Sequence, residues 1–284
     1  MKRKILYLLL GAFLLVLAGC TGASEEESDA APVTLDPLIA EHLNIGDSLP
    51  EALAKGVRAV EEKIDGEDFD IFVRQTVGDA QAIYVLYDVT FREGINLTCQ
   101  ENEFLEPALI QLTEKGGSAL PLNMWGTEVL ASEGQTVTFL SYFCGWTPWP
   151  GKDKVDFTTG NFQKNNGWQQ TALTSETATV LLQLPGETDY LKGSLKDETG
   201  KSVGEVCLSP LALSCSVSSA EQADSETLTG TAQIACRNGQ TVPVLGRICE
   251  TQEGDCVNGM IKFEKALDLD TVTAVQIAGY TIEF

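Results

Sequence analysis

Histidine is almost missing from this chain: His42 is the single one in 284 residues. A Ser-His-Asp or Cys-His arrangement, or a histidine-rich metal site, has nothing else to be built from. Basic residues are scarce too, with 19 Lys and Arg against 41 Asp and Glu, for a net charge of −22. That balance excludes nucleic acid as a partner, because phosphate binding needs a basic face. No cysteines stand at CxxC spacing and no glycine-rich loop is shaped to cradle a phosphate; Gly116-Gly117 and Asn166-Gly167 read as turns. No apolar run reaches the ~20 residues that span a bilayer. Strands alternating with long helices, the mark of a parallel α/β sheet, are also missing.

What is present begins with a cationic head, Lys2-Arg3-Lys4, followed by Ile5 to Ala18, apolar apart from Tyr7 and Gly11. That is the length of a signal-peptide core. Leu17-Ala18-Gly19-Cys20 then resembles the bacterial lipoprotein cleavage box, in which diacylglycerol is transferred to the cysteine sulfur and the chain is cut before it. The resemblance implies a signal peptide over residues 1–19 and lipidation of Cys20, with fatty acids of the palmitate kind. The membrane becomes a partner through diacylglyceryl-Cys20, and the protein is expected outside the cytoplasm, anchored to the cell membrane. Each buried CH₂ contributes ~0.8 kcal/mol, so two or three acyl chains hold where one would not. Removing Lys2, Arg3 and Lys4 from the 19 basic residues leaves 16 against 41 acidic ones, a net charge of −25. Ser24 to Asp29 (SEEESD) has nothing to bury, and residues 20–46 read as a solvated tether.

One amphipathic helix is expected over residues 47–65. Ser48-Leu49-Pro50-Glu51 has the form of a capping box, and Leu49, Leu53, Val57, Val60 and Ile64 recur at spacings of three or four. Everything after it reads as β. Phe69, Ile71, Val73 and Val77 alternate with polar residues; after Gly78-Asp79, so do Ile83, Val85, Tyr87, Val89 and Phe91. Two such runs across a short turn predict an antiparallel hairpin with a buried face. Further strands are expected at 108–112, 126–130, 136–143, 155–157, 178–184 and 190–195. Short strands separated by Gly, Asn and Pro turns predict a sandwich over residues 66–200.

A second, smaller β-sandwich is expected over residues 201–284. Cys207 to Cys215 reads as one strand with 207, 211, 213, 215 and 217 on one face, and Pro210 marks it as an edge or a crossover. Between the strands ending at Cys236 and starting at Thr241, a three-residue loop of Arg237, Asn238 and left-handed Gly239 would bring Ile234 opposite Val242.

The segment Ala52-Leu53-Ala54-Lys55-Gly56, with FDIFVRQTVGDAQAIYVLYDV after a short gap, resembles the extracytoplasmic region of an uncharacterised family of Firmicutes membrane proteins. Many members carry a cytoplasmic anti-sigma-factor-like segment and one membrane helix. Val206 to Leu211 (VCLSPL) and Leu267 to Gly279 are similar to the family's second domain. The likeness covers residues 50–284 and implies two tandem immunoglobulin-like β-sandwich domains, with no catalytic residues to carry over. The chain departs from the family at its N-terminus, where a lipoprotein signal replaces the cytoplasmic segment and membrane helix.

Several residues are candidates for a site. In Phe143-Cys144-Gly145-Trp146-Thr147-Pro148-Trp149-Pro150-Gly151, Trp146 and Trp149 sit in a proline-stiffened loop. They read either as a rigid platform for a sugar or peptide or as a plug for the open end of the sandwich. Cys249 and Cys256 flank Glu253-Gly254-Asp255 and are candidates for a disulfide across a turn, while Cys207, Cys215 and Cys236 fall on apolar faces and read as small core hydrophobes. Cys236, Cys249 and Cys256 lack zinc-site spacing. Asp268 and Asp270 read as calcium ligands or as solvent-facing residues leading into a strand. No metal and no cofactor is expected. The composition points to a non-enzymatic binding or sensory module at the cell envelope, meeting cell-wall polymer or a membrane protein. The alternative is an envelope hydrolase of glycan or peptide on a β-sandwich, whose paired carboxylates would lie among the 41 acids. Replacing Cys20 with Ser is expected to abolish incorporation of radiolabelled palmitate and to move the protein out of the membrane fraction.

Overall fold

Apolar alternation carries this chain into antiparallel sheets almost throughout. The computed structural model describes residues 33–284 apart from 47, 116, 119, 147, 149–153, 186–187, 198, 219–231 and 278. The expected signal peptide, the lipobox Leu17-Ala18-Gly19, Cys20, most of the tether and Trp149 lie outside the described residues. Among the described residues no helix is long and apolar enough to cross a membrane.

A five-stranded sheet contains β1 (Val57–Asp65), β2 (Phe69–Gly78), β3 (Ala82–Phe91), β5 (Met124–Glu133) and β6 (Thr136–Cys144) in the order β1-β2-β3-β6-β5. Facing it are β4 (Phe104–Glu114), β7 (Lys154–Asn165) and β8 (Gln170–Ala172), with β9 (Thr177–Gln183) also paired to β7. Ile71, Val73, Val85, Tyr87 and Phe139 from the first sheet meet Phe157, Phe162, Val180 and Leu182 from the second, all within 1% of complete burial. A second five-stranded sheet runs β10 (Leu191–Lys196), β11 (Ser202–Leu208), β12 (Ala212–Ser218), β16 (Cys256–Phe263) and β15 (Gly246–Glu253). It shares a core with a four-stranded sheet of β14 (Thr241–Pro243), β13 (Gln233–Cys236), β17 (Val272–Ile277) and β18 (Tyr280–Glu283). Ile234 pairs with Val242 across Arg237 to Gly239, and Gly239 has φ +80°, so the three-residue loop forms as expected.

The helix expected over residues 47–65 does not form. Only Glu51–Ala54 is helical (α2, the second of two short helices), capped by Pro50 without a side-chain bond. Val57–Asp65 pairs with β2. The apolar spacing fits both states, because residues four apart share a face of a strand as well as of a helix. Val60 and Ile64 pack on the first core while Val57 points to the opposite face. The free edge of β2 offers a ladder of hydrogen bonds, whereas an isolated helix this short is marginal. A bulge with Glu61 at φ 53° lies between Ala59 and Glu62.

Part of the span expected as a tether, residues 20–46, is folded. Pro37–His42 forms the first helix, α1, its N-cap Asp36 accepting from Leu38 N, and Ile39 and Leu43 are buried. Cys207 to Cys215 is not one strand: Ser209, Pro210 and Leu211 make the β11–β12 turn, so Cys207 and Cys215 end on opposite faces of the hairpin. Finally, β10 is bonded to β11 through Leu191–Leu208 to Lys196–Ser202. The boundary expected at 200/201 therefore falls inside a hairpin, and 191–196 belongs with the strands that follow it.

Thr34–Phe284 forms one compact unit. A third apolar cluster joins the two sandwiches: Val77, Tyr84, Leu140 and Tyr142 from the first sheet meet Leu211, Ala212 and Met260, with Ile39, Leu43 and Leu53 wedged in. At its centre two hairpin turns interlock. Asp79, in the β2–β3 turn, is fully buried; its Oδ1 accepts from Gln81 N and Ala82 N, both at 2.8 Å, and its Oδ2 accepts from Leu211 N at 2.6 Å. Gln81 Nε2 donates to Ser214 Oγ at 2.5 Å, a second bond from this turn to β12. Leu43 O accepts from Ala266 N, and Gln75 Oε1 from Asp36 N, so α1 is bonded to both sandwiches. Burial pushes the Asp79 carboxyl up to about 6, against the opposing pull of its donors.

Replacing Asp79 with Ala strands three buried N–H groups and is expected to cost about 3 kcal/mol in denaturant unfolding. Because the folded state holds the Asp79 proton more tightly than the unfolded chain, its contribution to stability grows as pH falls through 6 and levels off below 3.8. Between pH 7 and pH 5 the parent is expected to gain about 1.4 kcal/mol relative to Asp79→Asn.

Candidate functional site

The outer face of β10, β11, β12 and β16 is left partly open where the chain leaves β6. Strand register sets the floor in two rows: Lys192, Cys207 and Ser214 in one, Glu205, Ser216 and Asn258 in the next. Trp146, Pro148 and Tyr190 stand beside these rows and complete a groove of 260 Å³. Trp146 is held by its backbone from both sides: its N–H donates to Asn123 Oδ1 at 2.9 Å, and its carbonyl accepts from Ser214 Oγ at 2.9 Å. Its ring packs half-buried against the cluster between the sandwiches. It thus packs and lines a cavity at once, and the surface it seals is the junction rather than an open sandwich end.

Lys192 Nζ lies 2.9 Å from Glu205 Oε2, with both side chains more than half exposed. Burial pushes the Cys207 thiol up to about 12, so the sulfur stays protonated and is not a nucleophile at neutral pH. The groove offers an aromatic wall, hydroxyl and amide groups and one paired charge of each sign. Such a surface suits recognition of a neutral or mixed polar ligand.

The other candidates are placed apart from this groove. Cys249 stands opposite Met260 and Cys256 opposite Glu253, four residues apart along one hairpin, and both thiols are free. Four residues of strand span ~13 Å, far beyond the Cα separation a disulfide tolerates. The expected bridge is therefore excluded by register. Cys215 packs in the second core and Cys236 against it, as small hydrophobes. Asp268 caps the 3₁₀ turn Leu269–Thr271, its Oδ1 accepting from Asp270 N at 3.1 Å. Both aspartates line a second recess of 300 Å³ with Glu51, Asp189 and Arg237. Among the described residues no three His, Cys, Asp or Glu side chains converge to hold a metal ion. Asp79 has the raised carboxyl that a general acid needs, but it is sealed among backbone donors and meets no substrate.

Sequence reasoning missed a lysine buried against two tyrosines. Lys262, on β16, is only 4% exposed; its Nζ lies 4.5 Å from the Tyr142 ring centroid and 5.4 Å from that of Tyr84. Arg247 Nη1 donates to Tyr142 Oη at 2.7 Å, and the His42 ring sits 6.1 Å from Tyr84 with Nδ1 3.7 Å from Glu128. The available signal was Lys262 between Ile261 and Phe263 in an apolar strand, with tyrosines at alternate apolar positions. Burial lowers the Lys262 ammonium below its ordinary range, and burial also lowers the His42 imidazolium despite the opposing pull of Glu128.

No family model matches this chain, and no curated protein matches it. Among solved structures it is similar to a conserved domain protein from Bacillus anthracis, at 9% identity and a TM-score of 0.46, over 77% of this chain and 75% of that one.

A lysine whose pKa is depressed on folding costs stability while both states are charged, near neutrality. That cost is relieved as pH rises through the lowered folded pKa and is gone above the unfolded value near 10.5. Lys262→Met, which keeps the stem and removes the charge, is expected to stabilise the chain by about 1–2 kcal/mol at pH 7 in denaturant unfolding.

Proposed function

We propose that this chain is a lipid-anchored envelope protein that acts without catalysis, binding wall polymer on the outer face of the cytoplasmic membrane. Its two sandwiches are read as tandem immunoglobulin-like domains, in keeping with the resemblance carried by residues 50–284. The observation that carries the proposal is the groove at Trp146. An indole fixed by backbone bonds to both sandwiches loses little freedom on binding, and the floor of Ser214, Ser216 and Asn258 supplies donors and acceptors for hydroxyl and amide groups. The lipobox ending at Cys20 and the acidic, small-residue stretch after it support placement on the membrane surface, with the folded part held clear. The net negative charge repels anionic lipid, which leaves the acyl chains as the attachment.

The test is co-sedimentation of the full chain, in mild detergent, with purified peptidoglycan and wall polysaccharide. Trp146→Ala, which also lowers the unfolding temperature by removing a ring from the junction cluster, and the groove-filling Ser216→Trp, which unfolds at the parental temperature, are both expected to reduce the bound fraction at least tenfold. Sedimentation of both variants at the parental level overturns the reading.

A further inference from the structure

We propose a second recognition site, at the tip of the β7–β8 hairpin, which stacks Trp168 on the face of a neutral sugar ring in an envelope glycan. It rests on the envelope placement proposed above and is independent of the groove at Trp146. The indole of Trp168 is 98% exposed, the most exposed large apolar side chain among the described residues. Nothing in the fold needs it there, since it contributes to none of the three apolar clusters.

The turn that presents it is rigid. Asn165 Oδ1 accepts from Gly167 N at 2.7 Å, and Asn166 Oδ1 accepts from Trp168 N at 3.0 Å and Gln169 N at 2.8 Å. Gly167 supplies the left-handed residue, at φ 86°. Asn165 is itself fixed, its Nδ2 donating to Glu106 Oε1 at 2.7 Å. Phe104, the register partner of Asn165, adds a second ring that is 49% exposed at the same end of the sandwich.

The chemistry around the indole selects the ligand. Residues 165–174 carry no charge in a chain with 41 acidic residues, and Gln169, Gln170 and Thr171 are all exposed beside Trp168. Amide and hydroxyl side chains match sugar hydroxyls, while the flat indole matches the C–H face of a pyranose. A rigid turn avoids the loss of freedom that a flexible loop would suffer on binding. A lipid surface fits less well. The one cation in the paired tip of the hairpin, residues 163–172, is Lys164, buried with its Nζ donating to the Thr98 carbonyl, so no basic group of the tip meets a phosphate headgroup. The exposed amides would also have to be stripped of water to enter the membrane.

The experiment is affinity electrophoresis of the full chain in native gels, in non-ionic detergent, cast with neutral polysaccharides: chitosan-free N-acetylglucosamine oligomers, β-glucan and amylose in separate gels. Trp168→Ala, Gln169→Ala and, as a matched control, Trp125→Ala, itself 56% exposed, run beside the parent. The proposal expects at least one glycan to retard the parent, with the apparent dissociation constant raised tenfold or more by Trp168→Ala, raised less by Gln169→Ala and unchanged by Trp125→Ala. Retardation that Trp168→Ala leaves intact, or a parent that no glycan retards, overturns the site. In parallel, the full chain is placed in vesicles of dibrominated phosphatidylcholine. Quenching of the emission that Trp168→Ala removes would put the tip in the membrane and overturn the glycan assignment. Because Trp146→Ala is read in the wall sedimentation assay and Trp168→Ala in these gels, either site can fail while the other stands.

Discussion

A single buried carboxylate governs how the two halves of this molecule meet. Asp79 sits in one hairpin turn and accepts N–H groups from its own turn and from Leu211 in the turn of the other sandwich, so the second turn's buried N–H is satisfied by the first. Backbone donors shut away from water must be paired, and here the pairing spans 132 residues of sequence. Around that contact the apolar cluster of Tyr84, Tyr142, Leu211 and Met260 closes, and α1 is pinned in place. The groove at Trp146 follows from the same contact, since Ser214, which bonds the Trp146 carbonyl, also lies 2.5 Å from the Gln81 amide.

The β character was legible because strand parity survives in the sequence wherever one face is buried. Ile71, Val73, Val85 and Val89 lie on the face their alternation predicts, and the turn at Gly239 could be read down to its register. What failed did so for identifiable reasons. Val60 and Ile64 stand four apart, a spacing common to both periodicities, and only the presence of β2 decides between them. Asp36-Pro37 is a helix start visible in the sequence, but an acidic, small-residue stretch upstream masked it. Pro210 suggests an edge strand or a crossover, yet it lies in the turn between two strands.

The functional surface was less legible than the fold. Trp146 stood out through its prolines, yet its double role depends on which hydroxyl of a distant strand its carbonyl meets. Trp168 follows Asn-Gly, and the dipeptide declares a turn without declaring that the next ring is left wholly in solvent. Lys262 gives the converse lesson. A lysine in an alternating strand ordinarily faces water, and only the packing of one sheet on another buries this one between two tyrosines.

The interlocked turns have a geometric consequence. Hinged sandwiches would let their surfaces sample many separations, but a junction closed by Asp79, Gln81 and a shared apolar cluster leaves the two sandwiches packed against each other. The Trp146 groove lies at the junction, and Trp168 tips a hairpin elsewhere on the first sandwich. On the proposals above, a polymer with a regular repeat that touched both would meet a span set by this contact, and its second contact would form at an effective concentration set by that span rather than by a flexible linker. Polymers whose repeat matched the span would then gain avidity, and chemically identical residues at another spacing would not.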